Sequence, residues 1–247
     1  MVEILSTLVY FFVIECVGYL IYSIYIHREI IHKYWVFHPA LSSLFRFYLW
    51  LKSGHGHWES WQKQLAAIHR KHHRFSDTEH DPISAKVHSI KKVLSGKPQA
   101  NGVHWVSPED IEKYASDVPV DNSWAQRKIY KHKNLGKILF WAIVTLIFNF
   151  LGFIYGLLNF FFVDRLGIYL STVWLHRHGN LPANRNKNNL DLSKNSYPWG
   201  SFLAGEELHS NHHDDPTNPN FAKKWYEIDI GFCFTKFLSW FGLVKFH

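Results

Sequence analysis

The chain has 247 residues, of which 18 are histidine and 11 tryptophan, and its aromatic residues (17%) fall among long Phe/Leu/Ile runs, the pattern of a membrane protein. Only Cys16 and Cys233 are present, too few for a cysteine metal site and poorly placed for a structural disulfide. The net charge of +7 lies wholly in residues 27–136, with 17 Lys/Arg against 10 Asp/Glu; beside apolar runs this marks a cytoplasmic membrane face and not a nucleic-acid surface.

Ile4 to Ile26 is a nearly unbroken apolar run of 23 residues, long enough to cross a ~30 Å hydrocarbon core as a helix. It has no basic flank and no small-residue cleavage site, so it is expected to remain as a span and not to act as a signal peptide. Glu15 near its middle must face protein or a polar partner. The run ends at His27-Arg28, so a first histidine pair, His27 and His32, emerges where the helix leaves the bilayer. Residues 36–51 are apolar but short, interrupted by Arg46 and opened by Pro39, and read as an interfacial or re-entrant helix. His55 and His57 flank glycine in a turn and are read as non-ligands.

His69-Arg70-Lys71-His72-His73 follows, with imidazoles at i, i+3 and i+4 on one helical face. Protonated, that face would carry excessive positive charge; neutral imidazoles gripping a metal avoid it. Residues 83–136 read as a soluble segment with Gly96-Lys97-Pro98 as a break. Ser107, Pro108 and Asp110 open a short helix there, and no catalytic motif is present.

Ile138 to Leu175 is a second apolar block, broken by Asn149, Gly152 and Gly156. Histidine groups on either side of it must share one face of the membrane, so an even number of crossings separates them. The block therefore reads as a hairpin turning near 149–156, with spans at about 138–155 and 157–175. Asp164-Arg165 in the second span must pair locally. His176-Arg177-His178-Gly179 ends it, and Gly205-Glu206-Glu207 leads into His209-Ser210-Asn211-His212-His213, a second copy of the i, i+3, i+4 spacing. Residues 230–246 are aromatic and amphipathic and read as interfacial. The expected fold is all-α: one domain over 1–247, with about three membrane crossings and a cytoplasmic helical cap carrying the histidines.

Two such copies plus a pair are not accidental. His27, His32, His69, His72, His73, His209, His212 and His213 exceed the four ligands of a usual zinc site and suffice for two metals. His27 and His32 lie about 140° apart on a regular helix, at ~100° per residue, so the helix must end between them or be reorganised by a wide turn. All-nitrogen ligation suits iron, although spacing alone does not identify the element. Glu29-x-x-His32 and Glu206-x-x-His209 also match the Glu-x-x-His of soluble di-iron bundles. That reading leaves His69, His72 and His73 without a task. Glu206 and Glu207 read better as acceptors for ligand N–H groups.

HREIIH, HRKHH and HSNHH, in that order around apolar spans, resemble the three histidine boxes of membrane fatty acid desaturases. HRKHHRFSDTEHDP is similar to the second-box stretch of delta-9-type acyl desaturases. GEELHSNHH with Trp225-Tyr226-Glu227-Ile228-Asp229 is similar to their bacterial branch, and HPALSSLFRFYLWL to the segment between the first two boxes. The resemblance implies a non-haem centre of two irons, dioxygen as oxidant, and removal of two hydrogens from a fatty acyl chain as water forms. It implies a ninth ligand at His176, with Thr172 standing where the family usually has a water-holding Asn. It implies a bacterial inner-membrane enzyme with its site facing the cytoplasm, taking acyl-CoA or acyl-lipid. No haem, flavin or nicotinamide motif is visible. Electrons must then come from a separate donor, such as ferredoxin or a cytochrome with its reductase, for which the basic face is suited. The alternatives are a hydroxylase or acetylenase on the same centre, or a membrane metal-binding protein. The latter would need polar groups running through the spans.

Overall fold

The computed structural model describes residues 2–55, 61–95, 106–177, 191–196, 199–200 and 202–247. His57, Gly96-Lys97-Pro98 and His178-Gly179, all singled out above, lie outside them. The described chain is mostly helical. α1 (Val2–Ile21) runs without a break into a π-helical stretch, Tyr22–Ile31. β1 (Trp35–Phe37), α2 (Pro39–Ser53), α3 (Trp61–Phe75), α4 (Ile90–Ser95), α5 (Pro108–Ala115) and α6 (Lys133–Ile168) follow. A second π-helical stretch, Tyr169–Trp174, leads into the single turn α7 (Leu175–Arg177). β2 (Trp199–Gly200), α8 (His209–Asp214), β3 (Ile228–Asp229), α9 (Ile230–Ser239) and β4 (Val244–Phe246) complete it.

Two helices, Glu3–Ile31 and Lys133–Val163, are long and apolar enough to cross a membrane, and only 17% of the most apolar stretch of each is buried. Leu5, Leu8, Phe12, Leu146, Ile147 and Phe150 all stand more than half exposed. A soluble core helix would bury such side chains; here their burial falls to lipid. The chain is thus membrane-associated.

α6 is a hairpin. Only Asn149 leaves helical geometry (φ 52°, ψ −132°), yet the rings of Trp141 and Phe160 lie 6.2 Å apart. Nineteen residues of straight helix would separate them by about 28 Å. A Cβ at Gly152 would collide with the Val144 carbonyl, so glycine is what lets the arms close after the turn. The turn falls at the first residue of the window expected from sequence. Arg165 bonds locally, its Nη1 donating to the Phe161 carbonyl (2.6 Å).

Glu15 finds the partners its position demands. Lys52 donates to Oε2 (2.7 Å), and Tyr155 (2.7 Å) and Asn159 (3.2 Å) donate to Oε1. One carboxylate therefore ties α1, α2 and the second arm of the hairpin together.

Both stretches read as interfacial contain a strand that the sequence did not announce. His38 caps α2, its Nδ1 accepting from the Ala40 N–H, and Pro39 starts the helix. That leaves Trp35–Phe37 free to pair antiparallel with Val244–Phe246. At the far end Gly242 (φ 70°) stops the chain after α9 and turns it into β4. The ribbon seals a core of Trp35, Phe37, Phe45, Leu49, Trp61 and Phe221 directly above α1. α5 opens with the expected Ser107/Asp110 capping box; it braces α3 through Lys71–Asp110 (2.7 Å), and Asp117 just beyond it adds Arg70–Asp117 (2.6 Å).

Candidate metal centre

Of the two geometries open to the first box, the chain takes the wide turn. The His32 N–H donates to the His27 carbonyl (3.1 Å), an i→i+5 bond. That π-helical repeat brings two side chains five residues apart onto one face, with ring centroids 4.8 Å apart. α3 supplies His69, His72 and His73, α7 supplies His176, and α8 supplies His209, His212 and His213.

All nine histidines converge, in two groups whose donor atoms lie within 4.8 Å of one another: His27, His32, His69, His73 and His212 in one, His72, His176, His209 and His213 in the other. Neighbours in sequence divide between the groups. His72 and His73 point to different centres, as do His212 and His213. Nε2 atoms approach one another at 2.9 Å (His27 and His69), 2.8 Å (His69 and His73) and 3.0 Å (His176 and His209).

Four carboxylates stand behind the rings. His27 donates through Nδ1 to Glu206 (2.8 Å), His72 to Asp81 (2.8 Å), His176 to Asp77 (2.9 Å) and His213 to Asp191 (3.0 Å). A proton fixed on Nδ1 leaves the Nε2 lone pair free to bind a metal. Further buried ring nitrogens have no protein partner: His32 Nε2, His73 Nδ1, His209 Nδ1, His213 Nε2 and both nitrogens of His212. Buried nitrogens without partners are costly unless something fills the space between them. Two cations liganded by imidazole fit this donor set.

The electrostatics favour neutral rings. Burial first, and then neighbouring imidazoles, hold His32, His69, His73, His209 and His212 well below the usual histidine range. Burial brings His213 down to about 4, against the pull of Asp191. His72 is the exception: burial opposes protonation there, but the charge and hydrogen bond of Asp81 outweigh it and raise the ring. Burial pushes Asp77 up, yet its bonds to His176, Ser84 and the Leu192 N–H hold it at about 2.

Glu206 stands behind the His27 ring, whereas Glu207 meets none of the nine histidines. Its oxygens accept the backbone N–H groups of Phe202 (2.7 Å), Leu203 (2.7 Å) and Gly205 (3.2 Å), and it serves the preceding turn and not a histidine. Thr172 donates to the Ile168 carbonyl. His55 bonds Ser53 and stacks on Trp61, outside both groups. Glu29 accepts the Phe37 N–H (3.2 Å) and joins neither group, which removes the Glu-x-x-His alternative. Asp77, Asp81 and Asp191 were missed. The first two sit in SDTEHD, just past the second box, where proximity was a usable signal. Asp191 follows a polar loop and carried none.

No family model matches the sequence. Among curated proteins, the chain is 28% identical over 193 residues to an sn-1 stearoyl-lipid 9-desaturase of Synechocystis sp., covering 74% of this chain and 54% of that protein. It is 26% identical over 227 residues to an acyl-CoA C20 delta-5 desaturase of Anemone leveillei, covering 88% of this chain and 65% of the relative. It is 24% identical over 238 residues to a hex-5-enoyl-[acyl-carrier protein] acetylenase of Moorena producens, covering 90% and 70%. The chain is thus similar to fatty acyl desaturases, and to an acetylenase, over most of its length. It spans 54% of the length of the Synechocystis protein and 56% of that of a delta-9 desaturase-like 4 protein of Arabidopsis thaliana, to which it is 26% identical.

Arg28 and Asp229 tie the centre together from behind. The fully buried Arg28 guanidinium meets the equally buried Asp229 at 3.0 Å and lies 3.9 Å from the centre of the Phe221 ring. Phe221 in turn packs 4.2 Å from His212. The first box is thereby locked to the segment that follows the third.

Proposed function

We propose that this chain is an oxygen-dependent fatty acyl desaturase working at two irons. The observation that carries the reading is the sorting of nine buried histidines into groups of five and four, with convergent nitrogens and carboxylates behind four of the rings. His27, His32, His69, His73 and His212 would hold one iron, and His72, His176, His209 and His213 the other. Bound iron supplies the oxidising power, drawn from dioxygen, that an unactivated C–H bond requires. Two hydrogens leave adjacent carbons of the acyl chain. Two electrons and two protons arrive from outside, and dioxygen ends as two waters. The chain's own residues hold the metals neutral-ring first, fix ring orientation through Glu206, Asp77, Asp81 and Asp191, and keep bulk water out by burial. Thr172, one turn before His176, retains acceptor lone pairs for a water.

The acyl chain approaches from the membrane side, and the delta-9 position and a lipid-bound carrier follow the Synechocystis relative. Electrons come from a ferredoxin or cytochrome docked on the basic face. A single domain over 1–247 sits in a bacterial inner membrane with the histidines in the cytoplasm. The acetylenase relative favours a second reading, in which the same centre takes an alkene to an alkyne. Expression in a host lacking its own desaturase, with double-bond localisation by mass spectrometry, tests this. A chain shorter by two hydrogens supports desaturation of a saturated acyl group, and a gain of one oxygen would replace it with hydroxylation. Metal analysis after anaerobic iron loading is expected to give about two irons per chain, and one metal would defeat the two-iron reading.

In topology, the hairpin turn should reach the outer face. Asn149→Cys is expected to react with a membrane-impermeant maleimide from outside intact cells. Reaction from the cytoplasm, or from neither side, would rule out three crossings.

A further inference from the structure

Glu207 is buried, lies next to a ligand-bearing turn, and binds no histidine. Its three hydrogen bonds go to the N–H groups of Phe202, Leu203 and Gly205. Three carbonyls of the same turn also have protein donors. Leu203 accepts from the Glu206 N–H (3.1 Å) and Gly205 from the Leu208 N–H (3.0 Å). Ala204 accepts from Arg28 Nη2 (3.1 Å) and, more weakly, Ser23 Oγ (3.5 Å). Two consecutive left-handed residues, Ala204 (φ 57°) and Gly205 (φ 99°), fold the turn tightly enough for one carboxylate to reach all three amides. Ala204 and Gly205 are buried against Arg28 and Asp229, whereas Phe202 at the head of the turn is exposed. Non-helical backbone at membrane depth is tolerated where it is buried and internally bonded in this way.

The position of the turn agrees. Phe202 packs edge-on against Phe12, with centroids 6.0 Å apart. Phe12 lies in the middle of the apolar run of α1, fifteen residues before His27 and about 20 Å down the helix. Both rings are 54% exposed, on a helix whose outer face is apolar from Leu5 to Val17. The surface is continuous with the lipid-facing side of α1.

We propose that the Phe202–Gly205 turn is inserted into the hydrocarbon of the bilayer beside α1, with lipid acyl chains as its partner, and that the Glu207 carboxylate permits the insertion by satisfying its backbone. The third histidine box starts four residues after Gly205, so this insertion also fixes the height of the metal centre above the membrane. The inference does not depend on the reaction catalysed.

The test uses Phe202→Cys in a chain with Cys16 and Cys233 replaced by serine. It is labelled with an environment-sensitive fluorophore and reconstituted with its metal into phosphatidylcholine vesicles. Val13→Cys on the exposed face of α1 and Glu79→Cys, whose side chain is 84% exposed, are the lipid and water references. The Phe202 probe is expected to emit at the blue-shifted wavelength of the Val13 probe. Nitroxide-labelled acyl chains should quench it and aqueous iodide should not. Quenching by iodide, or by neither agent, overturns the insertion. Glu207→Gln offers an N–H where an acceptor is needed, and should red-shift the Phe202 probe toward the Glu79 value. An unchanged probe in that variant removes the carboxylate from the proposal. The first measurement stands even where Glu207→Gln does not fold.

Discussion

Replacement of His176 by alanine is expected to empty the four-histidine group and abolish turnover while leaving the chain folded. His176 is 3% exposed, its Nε2 faces His209, and its Nδ1 is fixed by Asp77. Without it the group keeps His72, His209 and His213, and a buried cation loses both a ligand and the orientation that Asp77 provides. Asp77 itself still accepts from Ser84 (2.7 Å) and the Leu192 N–H (2.9 Å), so the loop it organises should survive. Iron per chain, measured after anaerobic loading and gel filtration, should fall from about two to about one. Asp77→Asn keeps the ring but weakens its acceptor, and is expected to cost about 10–100-fold in metal affinity. His178→Ala should retain metal and activity, since on a continuing helix a position two residues beyond His176 would point about 200° away. Full iron and full activity in His176→Ala would remove this residue from the centre and with it the proposed place of Thr172.

The second large effect is structural. Arg28→Met leaves the Asp229 carboxylate buried without its cation, though still accepting from the N–H groups of Phe221 (2.9 Å) and Phe232 (3.0 Å). Breaking one side of a fully buried ion pair costs about 3–5 kcal/mol, a large share of the roughly 5–15 kcal/mol that holds a domain together. For a chain of this size that corresponds to a melting temperature lower by about 6–20 °C, read in detergent at fixed scan rate. The double variant Arg28→Met/Asp229→Leu should recover part of the loss, because no uncompensated charge remains. A single variant that melts with the parent chain would mean that the N–H donors already on Asp229, or water, replace the guanidinium at no cost.

These two residues illustrate what could and could not be read in advance. Arg28 looked like ordinary membrane-edge charge, because the one-dimensional pattern places it at the end of an apolar run. That it turns inward depends on Asp229, two hundred residues later, and no local spacing encodes that. Glu207 looked equivalent to its neighbour Glu206 for the same reason. Adjacent residues in a tight turn project in different directions, and the left-handed geometry at Ala204 and Gly205 sent one to His27 and the other to the backbone. Asn149 was legible as a turn because nothing else polar interrupts its surroundings, and Glu15 was legible as paired because an ion in hydrocarbon has no alternative.

The sequence by itself singled out eight histidines, the apolar helices and the hairpin between the second and third boxes; His176 came from the resemblance. The helices and the hairpin rest on hydrocarbon thickness and on the even number of crossings that two halves of one site require. Only the tertiary structure decided how the nine histidines divide. His72 and His73 are adjacent yet serve different groups, since on a helix neighbours point about 100° apart and the second centre lies across that angle. It also decided that the first box is π-helical and that Asp77, Asp81 and Asp191 stand behind the rings. It formed the closing ribbon from two stretches that each looked only apolar. Those features depend on which distant segments meet, and packing sets that where local propensity does not.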